Sequence, residues 1–215
     1  KISFHKIIII LTRDIYKSYF KYQMSEKIPF IIYAESTPNP SVMKFVSNKI
    51  LTETTKEITN IQEASGWPLL QQIFEFPFVK EIFISNNYIS IKKHDTAEWT
   101  HITNQIRIFI QDKLNSDIPI CENKQLEKES VNTKKNKSKL ERQIEDVINT
   151  NIKPNIQMDG GDIELVSCVN KTVKVFLKGA CSGCPSSQMT LKHGIETLLK
   201  ERFPNKINEV IAINT

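Results

Sequence analysis

The chain has 215 residues, 40% of them hydrophobic and 25% charged, which is ordinary for a globular protein with room for one large or two modest domains. Its formal net charge of +5 falls mostly on residues 1–23 and 122–137. The regions between and after those segments are therefore not basic, which disfavours nucleic-acid binding. The longest apolar run near the start, Ile7 to Leu11, is too short to cross a bilayer, so no membrane partner is expected.

Residues 1–23 are interpreted as a disordered leader or as upstream read-through. The chain opens at Lys1, and Met24 lies just ahead of the first well-patterned segment. A start at Met24 favours a bacterial-type cytoplasmic protein. The alternative is a transit peptide, since this segment has five Lys or Arg side chains and one acidic residue, Asp14. A genuine leader would favour a mitochondrion or another organelle.

Residues 24–121 are predicted to form a domain that mixes strands and helices. Two short strands, "PFIIYAEST" and "VMKFVSN", are separated by the turn-prone "TPNP". The stretch "EASGWPLLQQIFEF" predicts a short amphipathic helix that Pro77 ends. Strand patterns on either side of Asn86-Asn87 predict a hairpin.

A longer helix is predicted after the hairpin, in "TAEWTHITNQIRIFIQDKLNS". Its apolar stripe at helical spacing consists of Trp99, Ile102, Ile106, Phe109 and Ile110. We expect Trp99, like Trp67 before it, to pack in a core rather than to stack on a cofactor.

Residues 122–137 hold only two apolar side chains, Leu126 and Val131. Such a stretch cannot bury enough surface to offset its chain entropy. We therefore predict a flexible charged linker and a domain boundary here.

Residues 138–215 are predicted to form a second domain that opens with a helix. Ser138 and Glu141 have the spacing of a capping box, and Pro154 is expected to end the helix. A Gly160-Gly161 corner then leads into the strand "DIELVSCV". Alternation would put Ile163, Leu165 and Val169 on one face and Cys168 on the other.

Asn170-Lys171 turns the chain into a second strand, "TVKVFLKG", so that the two strands form an antiparallel hairpin. A CxxC loop, a helix from about 186 to 202 and a last strand, "INEVIAI", complete the chain. The order is α-β-β-(CxxC)-α-β. The predicted fold class is α+β, with two small α/β-mixed domains joined by a flexible linker.

The pair Cys181 and Cys184 carries the chemistry that the sequence offers. Two intervening residues let both sulfurs bind one metal ion or cluster edge, or each other. Alone, the motif fits a zinc half-site, a thioredoxin-like redox pair or an iron–sulfur half-site. Pro185 opens a helix directly behind Cys184, and free amides and the helix dipole at that point are expected to favour thiolates.

Two cysteines do not complete a four-ligand site. Cys121 looks incidental, and Cys168 is more typical of a small buried side chain than of a ligand. If the pair holds a cluster, two chains must each donate one CxxC across a twofold axis, which predicts a homodimer.

The other candidate side chains have simpler interpretations. His193 is expected on a helix face, and Lys178 in solvent on a strand. Asp159 and Asp162 are expected to cap the Gly-Gly corner rather than hold a cation. There is no GxSxG, P-loop or HExxH motif, so no catalytic residue and no enzyme activity are predicted.

These segments together resemble a known family. "MDGGDIELV" followed by "VFLKGACSGCPSSQMTLKHGIETLLK" resembles the C-terminal domain of NifU, the Nfu-type iron–sulfur cluster scaffold and carrier domain. Upstream, "ESTPNPSVMKF", "LLQQIFEFPFVKEIFISNNYISIKK" and "WTHITNQIRIFI" resemble the N-terminal domain of two-domain Nfu proteins.

The resemblance implies a carrier that holds a labile 4Fe-4S or 2Fe-2S cluster between two protomers through Cys181 and Cys184 of each. It implies delivery to apo-enzymes of the aconitase and lipoyl-synthase type, and exchange with the upstream assembly machinery. The N-terminal domain would contact or orient partners. Two alternatives use the same CxxC: a thiol-disulfide oxidoreductase, and an adaptor whose dimer is clamped by zinc.

Overall fold

The computed structural model describes residues 28–116, 118–122, 137–182 and 185–213, with the backbone alone for 185–188. Within these ranges the fold is α+β, with two sheets and two separate hydrophobic cores, as the sequence predicted. The predicted leader lies outside the described residues, and so does the predicted linker apart from its two end residues.

The N-terminal domain is built on a five-stranded antiparallel sheet in the order β1-β2-β5-β4-β3. Its elements are β1 (Ile32–Ser36), β2 (Val42–Ser47), β3 (Lys56–Ile58), a 3-10 turn (Ile61–Ala64), α1 (Pro68–Phe74), β4 (Val79–Ser85), β5 (Tyr88–Lys93) and α2 (Trp99–Asn115). The two first strands, the hairpin at Asn86-Asn87 and both helices are confirmed. The short strand β3 and the 3-10 turn were not predicted.

One face of this sheet packs against α1 and α2. The predicted stripe on α2 is confirmed, since Ile102, Ile106 and Ile110 are buried in it. Trp67 is fully buried, and Trp99 packs edge-on against Phe45 in the same core. Both tryptophans are therefore core residues, as expected.

The opposite face of the N-terminal sheet is also covered. In β4 and β5 ten of the thirteen residues are buried, although strand alternation sends about half of the side chains away from the helices. Phe83 and Tyr88 are buried on this second face, outside the helix-packed core. Residues of the C-terminal domain cover them, as described below.

The C-terminal domain has a three-stranded sheet in the order β6-β7-β8, antiparallel and then parallel. Its elements are α3 (Lys139–Val147), a π-helical segment (Ile148–Ile152), α4 (Lys153–Met158), β6 (Gly161–Val169), β7 (Thr172–Gly179), α5 (Pro185–Arg202) and β8 (Glu209–Ile213). The predicted element order is confirmed. The capping box is present, because Ser138 and Glu141 each accept the other's backbone N–H.

The prediction that Pro154 ends the first helix of this domain is wrong. The chain stays helical to Met158 through the π-helical segment, and Pro154 lies in the first turn of α4. In a continuous α-helix the proline would remove a hydrogen bond and clash with the preceding turn. The wider π turn and the position at a helix start both relieve that conflict.

The face assignment for the end of β6 is also wrong. The register with β7 shifts between Leu165 and Ser167, which marks a β-bulge. Beyond the bulge the two faces exchange: Cys168 pairs with buried Val173 and packs against the core, whereas Val169 is 60% exposed. One extra residue reverses the alternation that the sequence pattern assumed.

Candidate functional site

Cys181 lies in a tight turn between β7 and α5. Gly179, the last residue of β7, has a positive φ of 65°, and its carbonyl accepts the N–H of Ser182 at 3.0 Å. The helix α5 begins at Pro185, as the sequence predicted. Cys184 lies outside the described residues, so its convergence with Cys181 stays a prediction. We call residues 179–182 the cysteine turn.

The sulfur of Cys181 sits tightly against the Gly160-Gly161 corner. A Cβ added at Gly161 would lie 2.6 Å from the Cys181 Sγ, so only glycine leaves room for the sulfur. Cys181 is 7% exposed and belongs to the core of the C-terminal domain. The glycine corner and the cysteine turn therefore form one packed unit.

Burial and, after it, the carboxylates of Asp159 and Asp162 raise the pKa of the Cys181 thiol to about 12. The expectation that the helix start would favour a thiolate is therefore wrong for Cys181 in this arrangement. A metal ion or cluster would have to displace the proton, because only the thiolate is a ligand.

The other sulfur and histidine candidates lie away from this turn. Cys121 packs against the N-terminal core, Cys168 packs beside the bulge, and His193 is exposed on α5. Cys121, Cys168 and Cys181 are not in disulfides. Over the described ranges, which leave out Cys184, no group of three or more Cys, His, Asp or Glu could hold a metal ion.

Two of the charged candidates, Asp162 and Lys178, form ion pairs. Asp162 is buried, accepts the N–H of Ile163 at 2.9 Å and pairs with Lys153 at 3.1 Å, which suits the predicted role at the corner. Lys178 is not simply solvated: its Nζ lies 2.7 Å from Glu164.

Sequence reasoning missed that the N-terminal domain contacts this site. The Nδ2 of Asn39 donates to the Ala180 carbonyl at 3.2 Å, inside the cysteine turn. Tyr88 donates its phenol proton to the Gly161 carbonyl at 2.7 Å, and burial raises the Tyr88 pKa, which keeps that donor protonated. The sequence carried little signal of this contact, since apart from Phe83 and Tyr88 this face of β4 and β5 is polar (Glu81, Ser85, Ser90 and Lys92).

A cavity of about 630 Å³ lies beside Cys181 and between the two domains. Asn39 lines it from the N-terminal side, and Ile152, Leu191 and Gly194 line it from the π-helical segment and α5. No described helix has the length and apolar character of a membrane span.

Two family models match this chain: "NifU-like domain" over residues 144–211, and "Scaffold protein Nfu/NifU N terminal" over residues 32–117. A NifU-like protein of Schizosaccharomyces pombe is 31% identical over 85% of the chain and 73% of its own length. The chain belongs to the Nfu-type family of NifU-like proteins. It carries both the N-terminal and the C-terminal Nfu-type domains, and the cysteine turn lies in the second of them.

Other Nfu-type relatives carry compartment names. "NifU-like protein 4, mitochondrial" of Arabidopsis thaliana is 32% identical over 78% of the chain and 61% of its own length. "NFU1 iron-sulfur cluster scaffold homolog, mitochondrial" of Drosophila willistoni is 31% identical over 83% and 62%. The chain thus spans about six-tenths of the length of these two relatives. Their names give no support to the cytoplasmic expectation and agree with its stated alternative.

Proposed function

We propose that this chain is an iron–sulfur cluster scaffold and carrier that binds a cluster as cargo and transfers it to apo-proteins. Relatives whose names describe iron–sulfur cluster scaffolds support this function. The observation that carries it is the position of Cys181: it occupies a tight turn between β7 and α5, within the residues matched by the NifU-like domain. The proposed ligands are Cys181 and Cys184.

The donor chemistry at the turn suits an iron–sulfur cluster. Thiolates are the ordinary protein ligands of such clusters. The space that Gly161 leaves is filled by the Cys181 sulfur, and Cys181 is 7% exposed. Cluster binding is therefore proposed to require that the cysteine turn opens.

The cluster is proposed to be shared between two copies of the chain. A four-thiolate cluster needs four cysteines, and one CxxC supplies two. The positions of Cys121 and Cys168 support this count, because Cys121 packs against the N-terminal core and Cys168 lies at the opposite end of the β6–β7 hairpin from the cysteine turn. We propose a homodimer in the loaded state, holding 4Fe-4S or 2Fe-2S.

The remaining assignments follow from the relatives. A mitochondrial location is proposed from their names. Residues 24–121 and 138–215 are proposed as the functional domains on either side of a linker at 122–137. The clients are proposed to be apo-enzymes of the aconitase and lipoyl-synthase type, supplied from upstream assembly machinery.

Anaerobic reconstitution with ferrous iron and sulfide tests the proposal, with visible absorption and Mössbauer spectra as readouts. We expect the chain to take up a cluster, and Cys181→Ser and Cys184→Ser each to abolish uptake. Cys168→Ser is the matched control. It should keep cluster uptake, because Cys168 lies beside the β6 bulge and packs against the core of the C-terminal domain. Tight zinc binding or efficient dithiol turnover without cluster uptake would contradict the proposal.

Light scattering on the same samples tests the shared site. Loaded chains should be dimers, and removal of the cluster with a chelator should shift them towards monomers. A loaded monomer would contradict sharing between two copies.

A further inference from the structure

The second face of the N-terminal sheet holds the cysteine turn and the glycine corner. We define this cap face by five residues that contact them: Lys44, Glu57, Phe83, Tyr88 and Ser90. None of the five belongs to the helix-packed core of the N-terminal domain. Phe83, Tyr88 and Ser90 are each 2% exposed, so the turn and corner cover them almost completely.

Side chains of the cap face donate hydrogen bonds to backbone groups at the corner. Ser90 donates its hydroxyl to the Gly160 carbonyl at 2.6 Å, and Tyr88 donates to the Gly161 carbonyl at 2.7 Å. Lys44 donates to the carbonyl of Met158 at 3.1 Å, two residues before the corner. Because these acceptors are main-chain carbonyls, the face recognises the shape of the corner rather than particular side chains.

At the cysteine turn the cap face accepts hydrogen bonds instead of donating them. The carboxylate of Glu57 accepts the Gly179 N–H at 3.0 Å and lies 3.4 Å from the Ser182 hydroxyl. Donors and acceptors are therefore matched across the interface, which is the pattern of a specific contact.

Glycine is required on the other side of the contact. A Cβ at Gly179 would lie 2.6 Å from the Phe83 ring, and a Cβ at Gly160 would lie 2.8 Å from the Ser90 Oγ. Phe83 and Ser90 face each other across the β4–β5 pair, so both glycines meet the same small area of the sheet. The cap face and the glycines are complementary in shape as well as in hydrogen bonding.

We propose that the cap face is a binding surface for this chain's own cysteine turn, and that it competes with a second copy for access to Cys181. The competition rests on the proposed function, since it assumes that the second copy would reach Cys181 through a shared cluster. The shielding of Cys181 by the cap face does not, because we infer it from the contacts of Glu57 with Gly179 and Ser182, on either side of Cys181. In the closed arrangement Cys181 is 7% exposed, which leaves no room for a cluster bound from outside.

The shielding is tested on the cluster-free full chain through the alkylation rate of Cys181. The background carries one thiol, because the other cysteines are changed to serine: Cys121, Cys168 and Cys184. In this single-cysteine background, the double variant Tyr88→Phe with Ser90→Ala removes two hydrogen bonds to the corner. We expect N-ethylmaleimide to label Cys181 at least about tenfold faster, the factor for two bonds of ordinary net strength.

The matched control is Tyr33→Phe, which makes the same chemical change at a tyrosine 56% exposed on the edge strand β1. It should leave the labelling rate unchanged. Equal rates in all three chains would overturn the shielding. Circular dichroism and amide exchange at Gly179 guard against simple unfolding: the double variant should keep its secondary structure while the Gly179 amide exchanges faster.

Chain concentration identifies the occupant of the cap face. An unchanged labelling rate on dilution supports the chain's own turn. Faster labelling on dilution would mean that a second copy's turn is bound, and would overturn the intramolecular contact.

Competition is tested separately, in chains with all native cysteines, by the initial rate of anaerobic cluster uptake. The double variant should load faster than the Tyr33→Phe control by a similar factor. Equal loading rates, together with faster labelling of Cys181, would overturn the competition. If no chain loads a cluster, the proposed function and the competition fail, whereas the labelling result still decides the shielding.

Discussion

The two sheets of this chain differ in how their faces are covered. The N-terminal sheet has helices on one face and the cysteine turn with the glycine corner on the other. The C-terminal sheet has helices on one face, while its other face leaves Val166 and Val169 exposed. A domain that hides both faces of an antiparallel sheet needs a partner for the second face, and here the chain supplies that partner itself.

The largest change in stability is expected from substitutions at two adjacent residues on opposite faces of β4. Ile82 is fully buried in the helix-packed core, whereas Phe83 contacts the Gly179 region. Ile82→Ala should lower the free energy of unfolding of the N-terminal domain by about 2–5 kcal/mol. Phe83→Ala should cost that domain less and instead uncouple its unfolding from that of the C-terminal domain.

Tryptophan fluorescence during urea unfolding reports on the N-terminal domain alone, because Trp67 and Trp99 both lie there. Amide exchange in β7 reports on the C-terminal domain. Equal losses in the two variants, with one shared transition in both, would contradict the different roles of the two faces.

An intermediate effect is expected from two glycines changed to alanine. At Gly179 the positive φ of 65° and the contact with Phe83 both oppose a side chain, so Gly179→Ala should lower stability by about 1–3 kcal/mol. Gly194 lies within α5 and has nothing within 4 Å of an added Cβ. Gly194→Ala should therefore raise stability by up to about 1 kcal/mol. Thermal unfolding measures both, and a stabilised Gly179→Ala chain would refute the close contact.

The smallest change in stability is expected in the C-terminal domain, whose sheet has helices on one face only. There Glu141 of α3 forms a hydrogen bond with β6. Its carboxylate accepts the backbone N–H of Ser138 at 2.8 Å and of Cys168 at 3.0 Å, and these bonds lower its pKa. A lowered folded-state pKa adds stability above the unfolded value of about 4.3, and that stability is lost as pH falls through the folded value. Glu141→Gln should cost about 1 kcal/mol at pH 7 and nothing in strong acid.

Glu145→Gln on the same helix is the control for that change. Its carboxylate forms a part-buried ion pair with Lys137, at 2.6 Å. We expect a loss of less than about 1 kcal/mol, because solvent still screens this pair. Denaturant unfolding at several pH values separates the two, and a pH-independent cost of Glu141→Gln would count against the charged cap.

Local patterns predicted most elements of this fold. Alternation and helical spacing identify strands and helices because each element has one buried face, and the capping box at Ser138 is a local contact. Pro154 and Val169 were misassigned because a π turn and a bulge each insert one residue into a regular repeat. Such an insertion has no fixed sequence signature.

The candidate site was predictable only in part. The turn, the Pro185 helix start and the glycine corner follow from neighbouring residues. The burial of Cys181 does not, because Tyr88 and Gly161 are 73 residues apart. A contact between two separately patterned domains leaves no periodicity in either of them.

The bulge in β6 also affects how readily oxidants are expected to react with Cys168. Without the extra residue, Cys168 would point to the open face of the C-terminal sheet beside exposed valines. With it, the thiol packs against the core near Glu141, and burial followed by that carboxylate raises its pKa. Peroxides and disulfides react with thiolates, so a cysteine kept in the thiol form reacts slowly with them. One inserted residue thus lowers the reactivity towards oxidants that we expect of Cys168.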